Sequence, residues 1–204
     1  NNYIFHIHTD FTDGKVSITE YFQFCEEHQI KYLIFTEHVR RVLTYSFDEF
    51  YSQIKEAGSQ YSTVHPIVGA EAKVLPGGGL DINEKILDLV EVICFACHGF
   101  PNDLALYRRS LINLFSDPRW MPYPRVFVHP GRFLATRGLL ESNISLLKEM
   151  LSIANTNGVV IEDNRRENLP GPQFEIEPLM PIIGFDIHTR KGLSDYIKYI
   201  DKSS

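Results

Sequence analysis

Short apolar runs alternate with amphipathic stretches along the whole chain. The runs cover 3–8, 32–36, 64–72, 90–97, 126–129, 158–162 and 181–186. Each is continuous and rich in β-branched or aromatic residues, as expected for strands buried on both faces. The stretches between them have readable helix starts. Ser17-Ile-Thr-Glu20 is a capping box ahead of Tyr21, Phe22 and Cys25. Ser46-Phe-Asp-Glu49 repeats it before Phe50, Tyr51 and Ile54, and Asp81-Ile-Asn-Glu84 predicts a third helix carrying Ile86 and Leu87. Helical patterns over 103–115 and 142–155 follow, the second stopped by Gly158. Ser194 is the expected cap of a last helix that turns Ile197 and Ile200 inward. Pro170, Pro172, Pro178 and Pro181 make 164–181 an irregular loop.

Strand–helix alternation of this kind predicts a parallel sheet with helices outside, closed as a barrel or open and doubly wound. Eight-stranded barrels take about 250 residues. Seven strands in 204 residues fit a smaller, TIM-like α/β barrel. With 44% apolar residues the chain can bury one sizeable core, so 1–204 reads as a single domain.

The ends of the runs carry the chemistry. They are His6-Ile-His8, Thr36-Glu37-His38, Gly69-Ala70-Glu71, Cys97-His98, His129-Pro130 and Asp186-Ile-His188. Six of the eight histidines thus fall at C-terminal strand ends, the edge where parallel α/β folds build their sites. One histidine there is more often a hydrogen-bonded rim residue; six at equivalent positions are not explained that way. His6 and His8 lie two apart, so a regular strand sends both to one face, and Asp186 and His188 share that spacing. Imidazole with carboxylate suits zinc, iron or manganese. His28 and His65 sit in polar or proline-adjacent sequence and read as surface residues.

Charge and cysteine usage narrow the classes. A net charge of −6 disfavours a nonspecific nucleic-acid binder. No apolar run approaches the roughly 20 residues that span a membrane, and no signal-peptide pattern is present, so a cytoplasmic location is expected. The three cysteines fit a reducing compartment. Cys94 and Cys97 form a C-x-x-C, but strand alternation sends the thiols to opposite faces. Pro76-Gly77-Gly78-Gly79 reads as a turn, since no Lys-Ser/Thr follows as in a P-loop.

The ordered runs H-x-H-T-x-x-T-D-G, T-E-H, G-x-E-A, C-H-G, H-P-G-R and G-F-D-I-H, from His6 to His188, closely resemble the PHP domain, the polymerase and histidinol phosphatase superfamily. The resemblance implies a distorted (β/α)7 barrel and a trinuclear metal centre. It implies that His6, His8, Glu71 and Asp186 hold one metal. Glu71 would bridge to a second, completed by His98 and His129. Asp13, His38 and His188 would hold the third. Catalysis would rest on His6, His8, Glu71, Asp186 and His188. The metals would be Zn2+, Mn2+ or iron.

Three divalent ions against the carboxylates of Asp13, Glu71 and Asp186 leave an excess of positive charge, which attracts phosphate. Basic residues follow the same runs: Arg40, Arg41, Lys73, Arg132, Arg165, Arg166, Arg190 and Lys191. Arg132 and one of Arg165 or Arg166 are the favoured phosphate clamps, with Arg40 a further substrate contact. The expected activity is hydrolysis of a small-molecule phosphomonoester through a metal-bound hydroxide, as in histidinol phosphatases. A nucleotide phosphatase, an exonuclease-type phosphodiesterase, a noncatalytic module of a larger assembly and an amidohydrolase-like barrel are the alternatives.

Overall fold

The computed structural model describes residues 2–171 and 181–202. Its spine is seven parallel strands: β1 (Tyr3–Ile7), β2 (Tyr32–His38), β3 (His65–Val74), β5 (Val92–Ala96), β6 (Arg125–Phe127), β7 (Val159–Asn164) and β8 (Ile182–Gly184), in that spatial order. Backbone bonds between Ile187 and the two histidine-bearing positions of the first run bring the last segment back to β1: His8 N–H donates to Ile187 O, and Ile187 N–H to His6 O, both at 2.9 Å. The result is a distorted (β/α)7 barrel. Helices α1 (Ile18–Glu27), α2 (Phe47–Gln60), α3 (Leu104–Ser116), α5 (Ile144–Thr156) and α6 (Arg190–Lys202) follow strands, and a single turn, α4 (Arg132–Ala135), precedes α5. None of the described helices is long and apolar enough to cross a membrane.

Two apolar layers follow from strand alternation. The larger packs the outer strand faces against the helices, with Tyr21, Phe22, Phe35, Phe50, Tyr107 and Phe115 among its buried side chains. The smaller lies inside the barrel: Phe5, Val92, Cys94, Ala96, Val126 and Val128. This inner plug leaves the polar site only the C-terminal mouth. Cys94 is in the plug and Cys97 packs against the outer layer, so the C-x-x-C thiols do point apart. All three cysteines are free, and burial pushes their thiols up, away from thiolate reactivity.

Three helix starts differ from the sequence expectation. The third helix is replaced by β4 (Leu80–Asp81), antiparallel to β3, and a 3-10 segment Glu84–Leu89. The Asp81 carboxylate accepts from Arg41 N–H at 2.9 Å instead of capping a helix, and Asn83 caps the short segment. Too few residues then remain before β5 for a full α-helix. A 3-10 turn, Glu141–Asn143, leads into α5, which therefore starts after Ser142. Helix α6 starts at Arg190, with Thr189 Oγ1 accepting from Gly192 N–H, and Ser194 lies inside it. The chain turns into this helix directly after His188 because that residue is held at the mouth. Pro76–Gly79 forms the β3–β4 turn. In the expected irregular loop, β7 runs on to Asn164 and a bridge joins it to Leu169; Pro172 and Pro178 lie outside the described residues.

Candidate metal centre

The first run carries two ligand candidates because it departs from regular alternation. Phe5 pairs with Ile34 and Ile7 with Phe35, which leaves His6 as an extra residue at φ 65°. Phe5 fills the inner plug, His6 and His8 face the mouth above it, and Ile7 faces outward. The bulge thus aims both imidazoles at one point. His129 (φ 50°) and Asp186 (φ 47°) have the same left-handed backbone, just past β6 and β8. That conformation is costly for residues with a Cβ, and three instances converge on one cluster.

At the centre, four atoms form a ring. His8 Nε2 lies 3.2 Å from Glu71 Oε2 and 3.3 Å from Asp186 Oδ1; His6 Nε2 lies 3.4 Å from each of the same two oxygens. Two ligands about 2.0–2.1 Å from a tetrahedral ion stand about 3.3 Å apart, so the ring has the spacing of a cation's ligand shell. His6 Nε2, His8 Nε2, His8 Nδ1 and Glu71 Oε2 are buried with no hydrogen-bond partner. Buried polar atoms are rarely left so, and a cation among them would satisfy the three that face the ring.

Two further groups adjoin the ring. Glu71 Oε1 lies 2.8 Å from His98 Nε2 and 4.0 Å from His129 Nε2. Asp13 lies 3.5 Å from His38 Nε2 and 3.3 Å from His188 Nε2, while His38 and His188 both stack against His8, ring centroids 4.2 and 4.3 Å away. All nine ligand candidates of the sequence therefore meet at one mouth, in overlapping groups able to hold metal. Exposure falls inward, from Asp13 on the solvent side to His6 and His8 fully buried.

The electrostatics fit a site built for positive charge. Burial opposes a charge on His8, but the facing carboxylates of Asp186 and Glu71 hold its pKa up at about 9. Burial opposes it on His6 as well, and Glu162 and Asp186 override it. Against the same penalty, His6, His8 and His98 hold the Glu71 carboxyl well below its usual range. His38, with less help, is pushed down to about 4 by burial. A cation bound here would compete with protons for His6 and His8.

Two buried carboxylates that the sequence reading left without a role position this cluster. His6 Nδ1 donates to Glu162 Oε1 at 2.5 Å, and Glu162 Oε2 accepts from His129 N–H at 2.8 Å and Asn164 Nδ2 at 3.1 Å. That leaves His6 Nε2 facing the ring, the usual second contact of a metal-binding histidine. Glu37 accepts from the Thr9 N–H at 2.9 Å and from the hydroxyls of Thr9 and Thr12, tying down the loop that carries Asp13. Both stand at C-terminal strand ends like the ligands, which was the available signal.

Glycine 184 is what lets Glu162 lie there. A Cβ at this position would fall 1.9 Å from Glu162 Oε1. Gly184→Ala is expected to displace that carboxylate and cost about 1–3 kcal/mol, visible as a fall of several degrees in Tm. An unchanged Tm would separate Gly184 from the support of His6.

The basic residues sort unevenly. Arg40, Lys73, Arg132 and Arg166 line the cavity over the cluster, a space of about 730 Å3. Arg132 pairs with Glu167, and Arg166 Nη1 donates to Asp186 Oδ2 at 2.6 Å. Arg165 is not among the lining residues: it pairs with Asp163 at 2.6 Å and lies over the Tyr199 ring. Of the two neighbouring arginines favoured from the sequence, only Arg166 reaches the mouth. Arg190 and Lys191 pair on the surface of α6 with Glu20 and Asp195.

DNA polymerase/3'-5' exonuclease PolX of Bacillus subtilis (strain 168) is 24% identical over 163 residues, covering 74% of this chain and 27% of that protein. The chain thus spans about a quarter of that relative's length. Among solved structures, phospho-2-dehydro-3-deoxyheptonate aldolase from Thermotoga maritima aligns over 79% of this chain and 41% of its own, at 16% identity and a TM-score of 0.39. The sequence profile of the PHP domain matches residues 5–166, most of the barrel and seven of the nine clustered residues, and the chain belongs to the PHP domain family.

Proposed function

We infer that the chain is a metal-dependent phosphoesterase that hydrolyses a phosphomonoester of a small molecule, with histidinol-phosphatase-like chemistry. The observation that carries this reading is the ring of His6, His8, Glu71 and Asp186, whose ligand atoms lie 3.2–3.4 Å apart with no hydrogen-bond partners for three of them. Those four residues would hold one divalent cation. Glu71 with His98 and His129 would hold a second, and Asp13, His38 and His188 a third. Bound cations lower the pKa of water from 15.7 towards about 7 and draw charge from phosphoryl oxygens.

The protein's own groups do the rest. Glu162 fixes the face that His6 presents, and the inner plug keeps water from reaching the cluster from below. Arg132 and Arg166 stand at the rim, where a guanidinium can orient a phosphate by bidentate bonds. Arg132→Ala is expected to raise KM roughly tenfold to a hundredfold, the worth of one or two hydrogen bonds to a charged group. An unchanged KM would take Arg132 out of substrate binding.

A second reading, phosphodiester cleavage, is favoured by the exonuclease named in the Bacillus relative. The cavity of about 730 Å3, with Phe11, Val39, Leu43 and Tyr45 in its wall, has the size of a small-molecule site. The test is to strip metal with a chelator, reload with Zn2+, Mn2+ or Fe2+, and measure phosphate release. Substrates would be histidinol phosphate, sugar phosphates, mononucleotides and short oligonucleotides. Metal-dependent release from a monoester supports the proposal; selective release of nucleotides from oligonucleotides supports the second reading. No turnover with any metal refutes both.

A further inference from the structure

Four cationic side chains line the cavity, and two are already paired: Arg132 with Glu167 and Arg166 with Asp186. Arg40 and Lys73 have no side-chain partner among the described residues. Backbone bonds from Val39 to Glu71 and from Arg41 to Asp81, the residue opposite Lys73, hold the segment after β2 along the end of β3. His38 pairs with Glu71 in the parallel register of β2 and β3, and Val39 N–H donates to Glu71 O at 3.0 Å. Arg40 lies two residues beyond His38 and Lys73 two beyond Glu71. Both line the cavity, just beyond the ligand residues of their segments.

Like charges on neighbouring segments repel, and among the described residues neither cation has an ion pair or a side-chain hydrogen bond. Asp81 lies opposite Lys73 across the β3–β4 ladder and accepts from the Arg41 N–H, but it makes no ion pair with Lys73 and is not among the residues lining the cavity. In a protein of net charge −6, two cations lining one cavity with no side-chain partner among the described residues have the arrangement of an anion site. Phe11, Leu43 and Tyr45 line the same cavity and offer apolar wall.

We propose that Arg40 and Lys73 form a second anion subsite, so that the substrate carries two negative groups. The phosphoester occupies the histidine–carboxylate cluster, and a further phosphate or carboxylate sits between Arg40 and Lys73. An apolar spacer joins the two along Phe11, Leu43 and Tyr45. This rests on the reading of the cluster as a metal-dependent phosphoester site. It gives Arg40 a role apart from the clamps Arg132 and Arg166.

The test is calorimetric binding to the metal-loaded full chain. The probes are alkane-α,ω-bisphosphonates of increasing length, the matching alkylphosphonates and the matching ω-phosphonocarboxylates. Phosphate release from the corresponding alkanediol bisphosphates and monophosphates is measured alongside. At the best length, one of the doubly anionic probes is expected to bind at least about tenfold better than the alkylphosphonate; which one does so identifies the second group. The ratio should fall towards one in Lys73→Gln and in Arg40→Gln, and persist in Lys73→Arg. Equal binding of singly and doubly anionic probes overturns the proposal, as does an advantage that survives both glutamine variants. An advantage without phosphate release from any ester keeps the subsite and removes the hydrolase reading. Release without an advantage does the reverse.

Discussion

Replacing Asp186 by alanine is expected to abolish metal retention and turnover together. Asp186 Oδ1 closes the central ring against both His6 and His8, its second oxygen lies 3.7 Å from His129 Nε2, and no other carboxylate of the mouth could take over both positions. A metal acting as Lewis acid contributes several kcal/mol to stabilising the transition state. At about 1.4 kcal/mol per factor of ten, kcat/KM should fall by roughly a thousandfold or more. Elemental analysis of the purified variant should show the loss independently of activity. His8→Ala should behave alike, since His8 Nε2 faces the same two carboxylates. A variant that turns over at the wild-type rate after chelation would refute the assignment.

Replacing Glu162 should produce the largest loss of stability together with a loss of metal affinity. Glu162 is fully buried and uses both oxygens, one for His6 Nδ1 and one for the His129 N–H and Asn164. Alanine leaves these donors unpaired in the interior, at about 1–3 kcal/mol for each group. A sum near 3 kcal/mol lowers Tm by about 6–12 °C in a chain of this size. Loss of such a contact behind a ligating histidine typically weakens metal binding by about 10–100-fold. Glu162→Gln separates the two effects. Glutamine offers one acceptor oxygen where two are used, so either the His129 N–H meets another donor or His6 Nδ1 turns acceptor, which moves its proton to the Nε2 that faces the ring. The side-chain volume remains, so the fall in Tm should be smaller, while metal affinity should still drop. A Glu162→Gln protein with wild-type metal affinity would reduce Glu162 to a packing role.

The barrel was legible because seven short apolar runs separated by capped amphipathic stretches admit few arrangements. The nine clustered residues were legible because each closes a run or follows one closely, and the C-terminal strand ends meet at one mouth. What stayed hidden depends on contacts between distant segments. The His6–Glu162 bond joins the first strand to the seventh, and the chain offers no local sign that these two face each other. The bulge at His6 is set by its pairing with β2, so the equal-face argument for His6 and His8 reached the right result although β1 is not regular. Arg165 and Arg166 differ by one position just past the end of β7, and that step alone sends one to the Tyr199 ring and the other to Asp186. Asp81 carried a capping signal that pairing with β3 and the Arg41 N–H overrode.

The central claim is that His6, His8, Glu71 and Asp186 enclose a cation. Crystals grown with Mn2+ and measured for anomalous scattering test it most directly. The expected result is a peak within coordination distance of His6 Nε2, His8 Nε2, Glu71 Oε2 and Asp186 Oδ1 at once. A map with no anomalous peak there, in protein that binds Mn2+ elsewhere or not at all, would contradict it.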